Sequence, residues 1–245
     1  MTFSRFLAAL LIMVHVIKGG LLLCLIFPWL KSDQQQQSLR RWSKQLLGFF
    51  KIHLVVSGVD SLKSENYLLA ANHISWIDIF AINAFKPHCF VAKSEVASWP
   101  IFGWMAKQVG TLFVERGKPS GVHKMVLEVA KQLNQKPICI FPEGTSTDGK
   151  QVGPFRSNFF EAAILSHAPV YTLAIQYFDV RTGHKTTAPA FIGDMGLLDS
   201  IWNLICSPPI CAEIHISTKL PALKDRKALA ELSQSLIAEQ LRESR

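Results

Sequence analysis

Apolar and polar residues change their period three times along this chain. Residues 6–30 are apolar on every side, interrupted by His15 and Lys18. The stretch is long enough to cross a bilayer, which takes roughly 20 apolar residues. Gly19-Gly20 and Pro28 are places where it can bend, so a re-entrant or interfacial helix is the alternative. Lys18, in mid-segment, has to snorkel or face protein. No small-x-small site follows the apolar core, and Cys24 lacks the small residue expected before a lipidated Cys, so a cleaved signal peptide is not expected.

The next segment has a helical period. Leu39, Trp42, Leu46 and Phe49 share one face, and Arg40, Arg41 and Lys44 share the remaining surface. A basic amphipathic helix with a Trp suits anionic headgroups. Periodicity alone equally fits a helix packed on a core with a solvated face. Lys31, Arg40, Arg41, Lys44 and Lys51 follow the apolar stretch and Arg5 precedes it, which puts the main domain on the cytoplasmic side. This divides the chain into membrane-anchoring helices at 1–51 and a second domain at 52–245.

From residue 52 onward the period alternates between two and 3.6. Strands are expected at 53–57, 67–71, 88–92, 111–115, 137–141, 170–178 and 211–218. Helices are expected at 75–85, 100–108, 120–134, 157–166 and 222–241. Alternation at this density predicts an α/β sandwich around a largely parallel central sheet, with functional sites at the carboxyl ends of strands.

Composition narrows the class. The chain has 245 residues, enough for one α/β domain plus an appendage. Lys plus Arg number 26 against 18 Asp plus Glu, a formal charge of +8. That balance suits nucleic acid, an anionic membrane surface or a phosphorylated substrate. The apolar N-terminus favours the membrane, and the basic residues are not interleaved with aromatics as base stacking requires. Cys24, Cys89, Cys139, Cys206 and Cys211 are scattered without a CxxC pair. Neither a disulfide framework nor a zinc site is expected, and the bulk of the chain reads as cytosolic.

Three strand ends carry candidate chemistry. In Asn72-His73-Ile74-Ser75-Trp76-Ile77-Asp78, a His ends a strand and a carboxylate follows five residues on at a helix start. With Ser75 as N-cap and Asp78 at the third helical position, the carboxylate reaches back over the helix mouth. It can then hold one imidazole nitrogen and leave the other to take a proton. Ser75-x-x-Asp78 is also a variant capping box, and on these seven residues alone a capped helix start is the stronger reading. The second strand, Gly110 to Arg116, delivers a guanidinium before a helix start, where it can clamp phosphate or simply be solvated. The third runs into Phe141-Pro142-Glu143-Gly144-Thr145, a tight turn with a carboxylate, a hydroxyl and backbone amides around Gly144. There is no G-x-S-x-G elbow, Walker A loop, G-x-G-x-x-G loop or run of metal ligands.

Taken in order, Asn72-His73-x-x-x-x-Asp78, Gly110-x-x-Phe113-x-x-Arg116, Phe141-Pro142-Glu143-Gly144-Thr145 and Ala168-Pro169-Val170 resemble the four blocks of the glycerolipid acyltransferase family. That family includes the 1-acylglycerol-3-phosphate (lysophosphatidic acid) acyltransferases. The similarity runs from about residue 66 to 177. It implies an enzyme in which His73 deprotonates the acceptor hydroxyl and Asp78 holds the His73 tautomer. The acceptor oxygen then attacks the thioester of acyl-CoA or acyl-carrier protein, with no cofactor, metal or covalent acyl-enzyme. Arg116 is expected to hold the acceptor phosphate, Glu143, Gly144 and Thr145 to shape the glycerol pocket, and Lys93 to bind phosphate or the thioester oxyanion. Trp99, Phe102 and Trp104 are candidates for an acyl groove, for contact with the bilayer or for plain core packing.

One departure bears on the acceptor. Many family members that use lysophosphatidic acid have Arg directly after Phe-Pro-Glu-Gly-Thr, whereas this chain has Ser146-Thr147-Asp148-Gly149. Arg156 stands near where the family often has a Lys and can supply the missing charge. The resemblance therefore implies phosphatidic acid synthesis from 1-acyl-sn-glycerol-3-phosphate at the cytoplasmic face of a bacterial inner membrane. Its alternatives are another lysolipid acceptor such as lyso-ornithine lipid, or an inactive lipid-binding membrane scaffold.

Overall fold

The computed structural model describes residues 2–114 and 119–243. At its centre is β2 (Leu68–Ala71), all four residues of which are buried. Successive strand side chains point to opposite faces. Leu69 and Ala71 accordingly join one apolar cluster, and Leu68 and Ala70 the other. A strand covered on both faces has to be apolar throughout, as this one is.

On either side of β2 lie β5 (Ile138–Ile140) and β6 (Val170–Asp179), both parallel to it. Beyond β5 come β3 (Cys89–Lys93) and then β4 (Leu112–Val114). Beyond β6 come β7 (Ile210–Ile216) and then β1 (Ile52–Ser57). Among the described residues the order is therefore β1-β7-β6-β2-β5-β3-β4, parallel throughout except for the β6–β7 pair. The expected α/β sandwich with a largely parallel sheet is what the chain forms.

Helices cover both faces. α2 (Ser32–Phe49) and α3 (Ile77–Phe85) bury Leu46, Leu47, Ile77 and Ile82 on one side. On the other side α5 (Pro119–Leu133), α6 (Asn158–Leu165) and α8 (Arg226–Glu243) bury Val129, Phe160 and Leu229. α4 (Phe102–Gln108) follows the end of β3. The outermost element is α1 (Thr2–Leu25), which contacts α2 and α4 and inserts Ile12 into the same cluster as Leu46.

Three details differ from the expectations. Gly19-Gly20 does not bend α1, which is one uninterrupted helix. Gly19 is instead a point of close approach: a Cβ there would lie 2.5 Å from the Trp42 indole nitrogen. Trp42 stacks on His15 with centroids 4.6 Å apart, His15 Nε2–H donates to the Trp42 carbonyl at 3.0 Å, and Trp42 Nε1–H donates to the His15 carbonyl at 3.3 Å. Second, the cap of α3 is Trp76 rather than Ser75, so Asp78 occupies the second helical position rather than the third. Third, α7 (Leu197–Cys206) was not expected; it buries Leu204 and Ile205 against the α2–α3 side and touches α1.

Candidate active site

Where β2 ends, Asn72 continues its pairing with a side chain. Asn72 Nδ2 donates to the Ile175 carbonyl at 3.0 Å and its Oδ1 accepts the Ile175 N–H at 2.8 Å. The main chain is thereby released from the sheet one residue later, at His73, at the carboxyl end of the central strand. This is where open parallel sheets place their sites.

His73 Nδ1–H donates to Asp78 Oδ2 at 2.9 Å. The same oxygen accepts the N–H groups of Ile74 at 2.7 Å and Ser75 at 2.9 Å. The backward reach of the carboxylate is therefore present, although the cap is shifted. The hydroxyl half of the expected capping box is weak: Ser75 Oγ lies 3.4 Å from the Ile77 N–H. Asp78 Oδ1 accepts the Tyr177 O–H at 2.6 Å. Asp78 is wholly buried, and four donors converge on it. A buried carboxylate is tolerated when it is hydrogen-bonded to this degree.

The ring of His73 stacks on Phe141 with centroids 4.0 Å apart and planes 19° apart. Its main chain is gripped on both sides, by the third motif and by the loop that follows it. The His73 N–H donates to Glu143 Oε1 at 2.7 Å, and the His73 carbonyl accepts the Thr147 N–H at 2.9 Å and the Thr147 hydroxyl at 3.2 Å. Glu143 Oε2 accepts the Gly153 N–H at 2.7 Å. Burial holds the Glu143 carboxyl above the usual carboxylate value, although both amides act in the opposite direction. Glu143 thus touches the site through the backbone of His73 and closes the 144–153 loop. Gly144 takes φ of 70°, a conformation that costs a side-chain-bearing residue energy, and this lets the turn fold back on Phe141.

His73 faces a cavity of about 790 Å³. With Nδ1 engaged, Nε2 is the nitrogen left for a ligand in that cavity. Lys93, Gly144, Thr145 and Arg156 also line it. Trp99 and Phe102 are on its wall, while Trp104, on the far side of α4, is exposed and does not line it. The cavity continues between α1 and α2, where Leu22, Leu23, Phe27 and Leu39 surround it. Its walls are predominantly apolar with a few polar groups among them, as is usual for small-molecule sites. Arg116 lies outside the described residues; β4, which precedes it, pairs with β3 beside Lys93.

Other groups are unsuited to the same work. His88 is buried at the opposite end of the sheet, between the Lys86 carbonyl and the Tyr67 hydroxyl, and burial lowers its pKa to about 3. Burial raises the Cys139 thiol well above its ordinary value. Among the described residues, no group of three or more His, Cys, Asp or Glu side chains is placed to hold a metal ion.

Sequence reasoning missed Tyr177 and the strap at 187–193. Tyr177 lies in a strand that is buried from Val170 to Phe178, where a Tyr reads as one more core residue, so nothing local distinguished its hydroxyl. The strap is fastened by the Phe191 N–H to the Ile74 carbonyl at 3.0 Å and by the Ser146 hydroxyl to the Phe191 carbonyl. Ser146, at the position where the motif departs from its commoner form, is thus committed to a structural contact.

An imidazole held by a buried carboxylate at the carboxyl end of the central strand, facing a predominantly apolar cavity, defines an α/β protein with a candidate acid–base site. The chain belongs to the Acyltransferase family, whose model matches residues 53–176. It is 33% identical over 167 residues to a 1-acyl-sn-glycerol-3-phosphate acyltransferase of Neisseria gonorrhoeae, covering 67% of this chain and 65% of that relative. It is 32% identical over 206 residues to a lyso-ornithine lipid O-acyltransferase of Pseudomonas aeruginosa, covering 83% of this chain and 78% of that relative. The crystal structure of the 1-acyl-sn-glycerophosphate (LPA) acyltransferase PlsC from Thermotoga maritima has a similar fold, with a TM-score of 0.71 and 16% identity over 99% of this chain and 95% of that one.

Proposed function

We propose that the chain is a membrane-bound O-acyltransferase acting on a lysophospholipid-like acceptor. The observation that carries this reading is the His73–Asp78 pair opening on the apolar cavity. His73 Nε2 takes the proton of the acceptor hydroxyl as its oxygen attacks the thioester carbonyl of acyl-CoA or acyl-carrier protein. The tetrahedral intermediate collapses with formation of the ester and cleavage of the C–S bond. The imidazolium returns its proton to the departing thiolate. General base assistance of this kind contributes about 10²–10⁴-fold. Asp78 keeps Nδ1 protonated and stabilises the imidazolium. Lys93, Arg116 and Arg156 bind anionic groups of the acceptor or stabilise the oxyanion, and Gly144 and Thr145 shape the acceptor pocket. Glu143 contributes by holding the backbone of His73. The apolar arm of the cavity takes an acyl chain.

The favoured acceptor is 1-acyl-sn-glycerol-3-phosphate, which would give phosphatidic acid, at the cytoplasmic face of a bacterial inner membrane. Lyso-ornithine lipid is the second reading. It is favoured by Ser146, which replaces a cation and is tied to Phe191, and by the extent of the match to the Pseudomonas relative. Membranes carrying the protein, given labelled acyl donor and a panel of lysolipids, should convert one acceptor to its diacyl product. Formation of diacyl product from lyso-ornithine lipid alone would select the second acceptor. Absence of product from every acceptor would remove the enzyme reading and leave a lipid-binding scaffold.

A further inference from the structure

α7 presents two unlike faces. Ser200, Leu204 and Ile205 are buried, whereas Leu198 and Trp202, one helical turn apart, are 80% and 42% exposed. The Trp202 ring packs against Phe6 of α1 at 5.8 Å, and Phe6 is itself exposed. From Phe6 the outward side of α1 continues the surface through Leu10, Met13, Ile17 and Leu21, each about half exposed. A contiguous apolar surface of this extent is uncommon on a soluble monomer and marks a docking face. Polar groups are few along it: Ser4 and Lys18 on α1, and Asp199 and Asn203 beside the Leu198–Trp202 stripe.

We propose that α7 is a second membrane contact, seated in the headgroup–acyl boundary of an anionic leaflet together with the outer face of α1. Three observations select a bilayer as the occupant. The α7 face is continuous, through the Phe6–Trp202 contact, with a helix long and apolar enough to reside in hydrocarbon. The chain as a whole carries a formal +8, which favours an anionic leaflet over a neutral one, with Lys18 the cation on the surface itself. An amphipathic ring such as Trp, flanked by Leu and polar neighbours, suits the interface rather than the bilayer centre.

The placement also links the membrane to the site. Leu197, at the head of α7, and Ile192 and Gly193, just before it, line the cavity. The strap that leads into α7 is held by Phe191 to the carbonyl of Ile74, next to His73. Seating α7 in the leaflet therefore brings this side of the cavity to lipid level, so a lysolipid enters laterally without crossing water. Docking itself rests on the exposed surface and is independent of the proposed reaction; only the route of the acceptor depends on it.

The experiment uses the full-length protein bound to phosphatidylcholine–phosphatidylglycerol vesicles with brominated acyl chains. The fluorescence difference between the wild type and Trp202→Phe isolates the Trp202 signal, and the expected result is that the bromolipid quenches it. In Leu198→Asp/Trp202→Asp, turnover of a bilayer-embedded lysolipid should fall about ten-fold or more, from the lost burial of two side chains. Turnover of a water-soluble short-chain acceptor should remain at the wild-type level, since neither residue lines the cavity. An unquenched Trp202 signal overturns the proposal, whatever the activity. So does self-association of the wild type that the double variant abolishes, with Trp202 unquenched, which would assign the face to a second copy. Wild-type protein inactive on both acceptors with Trp202 quenched leaves membrane seating in place and rejects the acyltransferase reading instead.

Discussion

Around Asp78 each carboxylate oxygen has its donors: three N–H groups on one and the Tyr177 hydroxyl on the other, in a fully buried setting. Along the outer face of α1 the reverse holds, with Phe3, Phe6, Leu10 and Ile17 half or more exposed. One region hides charge and supplies every partner for it; the other displays apolar surface and leaves its partner to the surroundings. The contrast divides the labour of the molecule. On the proposed function, rigidity is concentrated where a proton has to be taken from a defined direction, and adhesion is spread over a surface that needs no register. Orientation of a base within a fraction of an ångström requires bonds from several elements. Adhesion to a bilayer requires only area.

The largest expected effect comes from removing the group that the polar region exists to orient. His73→Ala should lower turnover of the accepted lysolipid by about 10²–10⁴-fold, measured with labelled acyl donor at saturating acceptor. Binding to vesicles and the far-UV circular dichroism spectrum should stay as in the wild type, because membrane adhesion resides elsewhere. Retention of full turnover would remove His73 as the base.

The polar region was legible in the sequence where its contacts are local. His73 and Asp78 are five residues apart at a strand-to-helix junction, so spacing alone brings a carboxylate back over the imidazole. Even the misplaced cap did not alter this, because a carboxylate at the second helical position reaches the same N–H groups. Tyr177 is 99 residues from Asp78 and meets it only because β6 lies beside β2 in the sheet. Strand order across a crossover has no local signature. The same limit hid the antiparallel β6–β7 pair, since a strand's period does not reveal the direction of its neighbour. Glu143 was visible as the carboxylate of the turn that ends an apolar strand, but its grip on the His73 backbone depends on the 144–153 loop folding over. In the apolar region, α1 was legible by composition, whereas α7 is short and lies among turn-forming residues such as Gly193 and Gly196.

Next in size is the loss of that unseen partner. Tyr177→Phe keeps the ring and removes the hydroxyl, leaving Asp78 Oδ1 buried without its 2.6 Å donor. Hydrogen bonds to charged groups are worth about 1.5–3 kcal/mol, and that is the expected fall in unfolding free energy. Turnover should fall less than in His73→Ala, because Asp78 Oδ2 retains His73 Nδ1, Ile74 and Ser75. Unchanged stability in a denaturant titration would mean that water replaces the hydroxyl and that the site is less closed than its burial implies.

The smallest effect is the most discriminating for the apolar region, because it sets two adjacent glycines against each other. Both interrupt an apolar helix, and by sequence they are interchangeable candidates for a bend. A Cβ at Gly19 would meet Trp42 at 2.5 Å, and Trp42 cannot easily withdraw, being stacked on His15 and packed against Phe80 at 5.5 Å. Overpacking at such a contact costs about 1–3 kcal/mol. A Cβ at Gly20 meets nothing within 4 Å, so the substitution registers only the gain in helix propensity, about 0.5–1 kcal/mol. Gly19→Ala should therefore lower the midpoint of thermal unfolding in detergent, and Gly20→Ala should raise it. Equal shifts for the two would show that α1 does not pack on α2 through Gly19, and that its inner face is as unpartnered as its outer one. Opposite shifts would mean that α1 docks on the domain along one stripe only, leaving the remainder of its circumference for lipid.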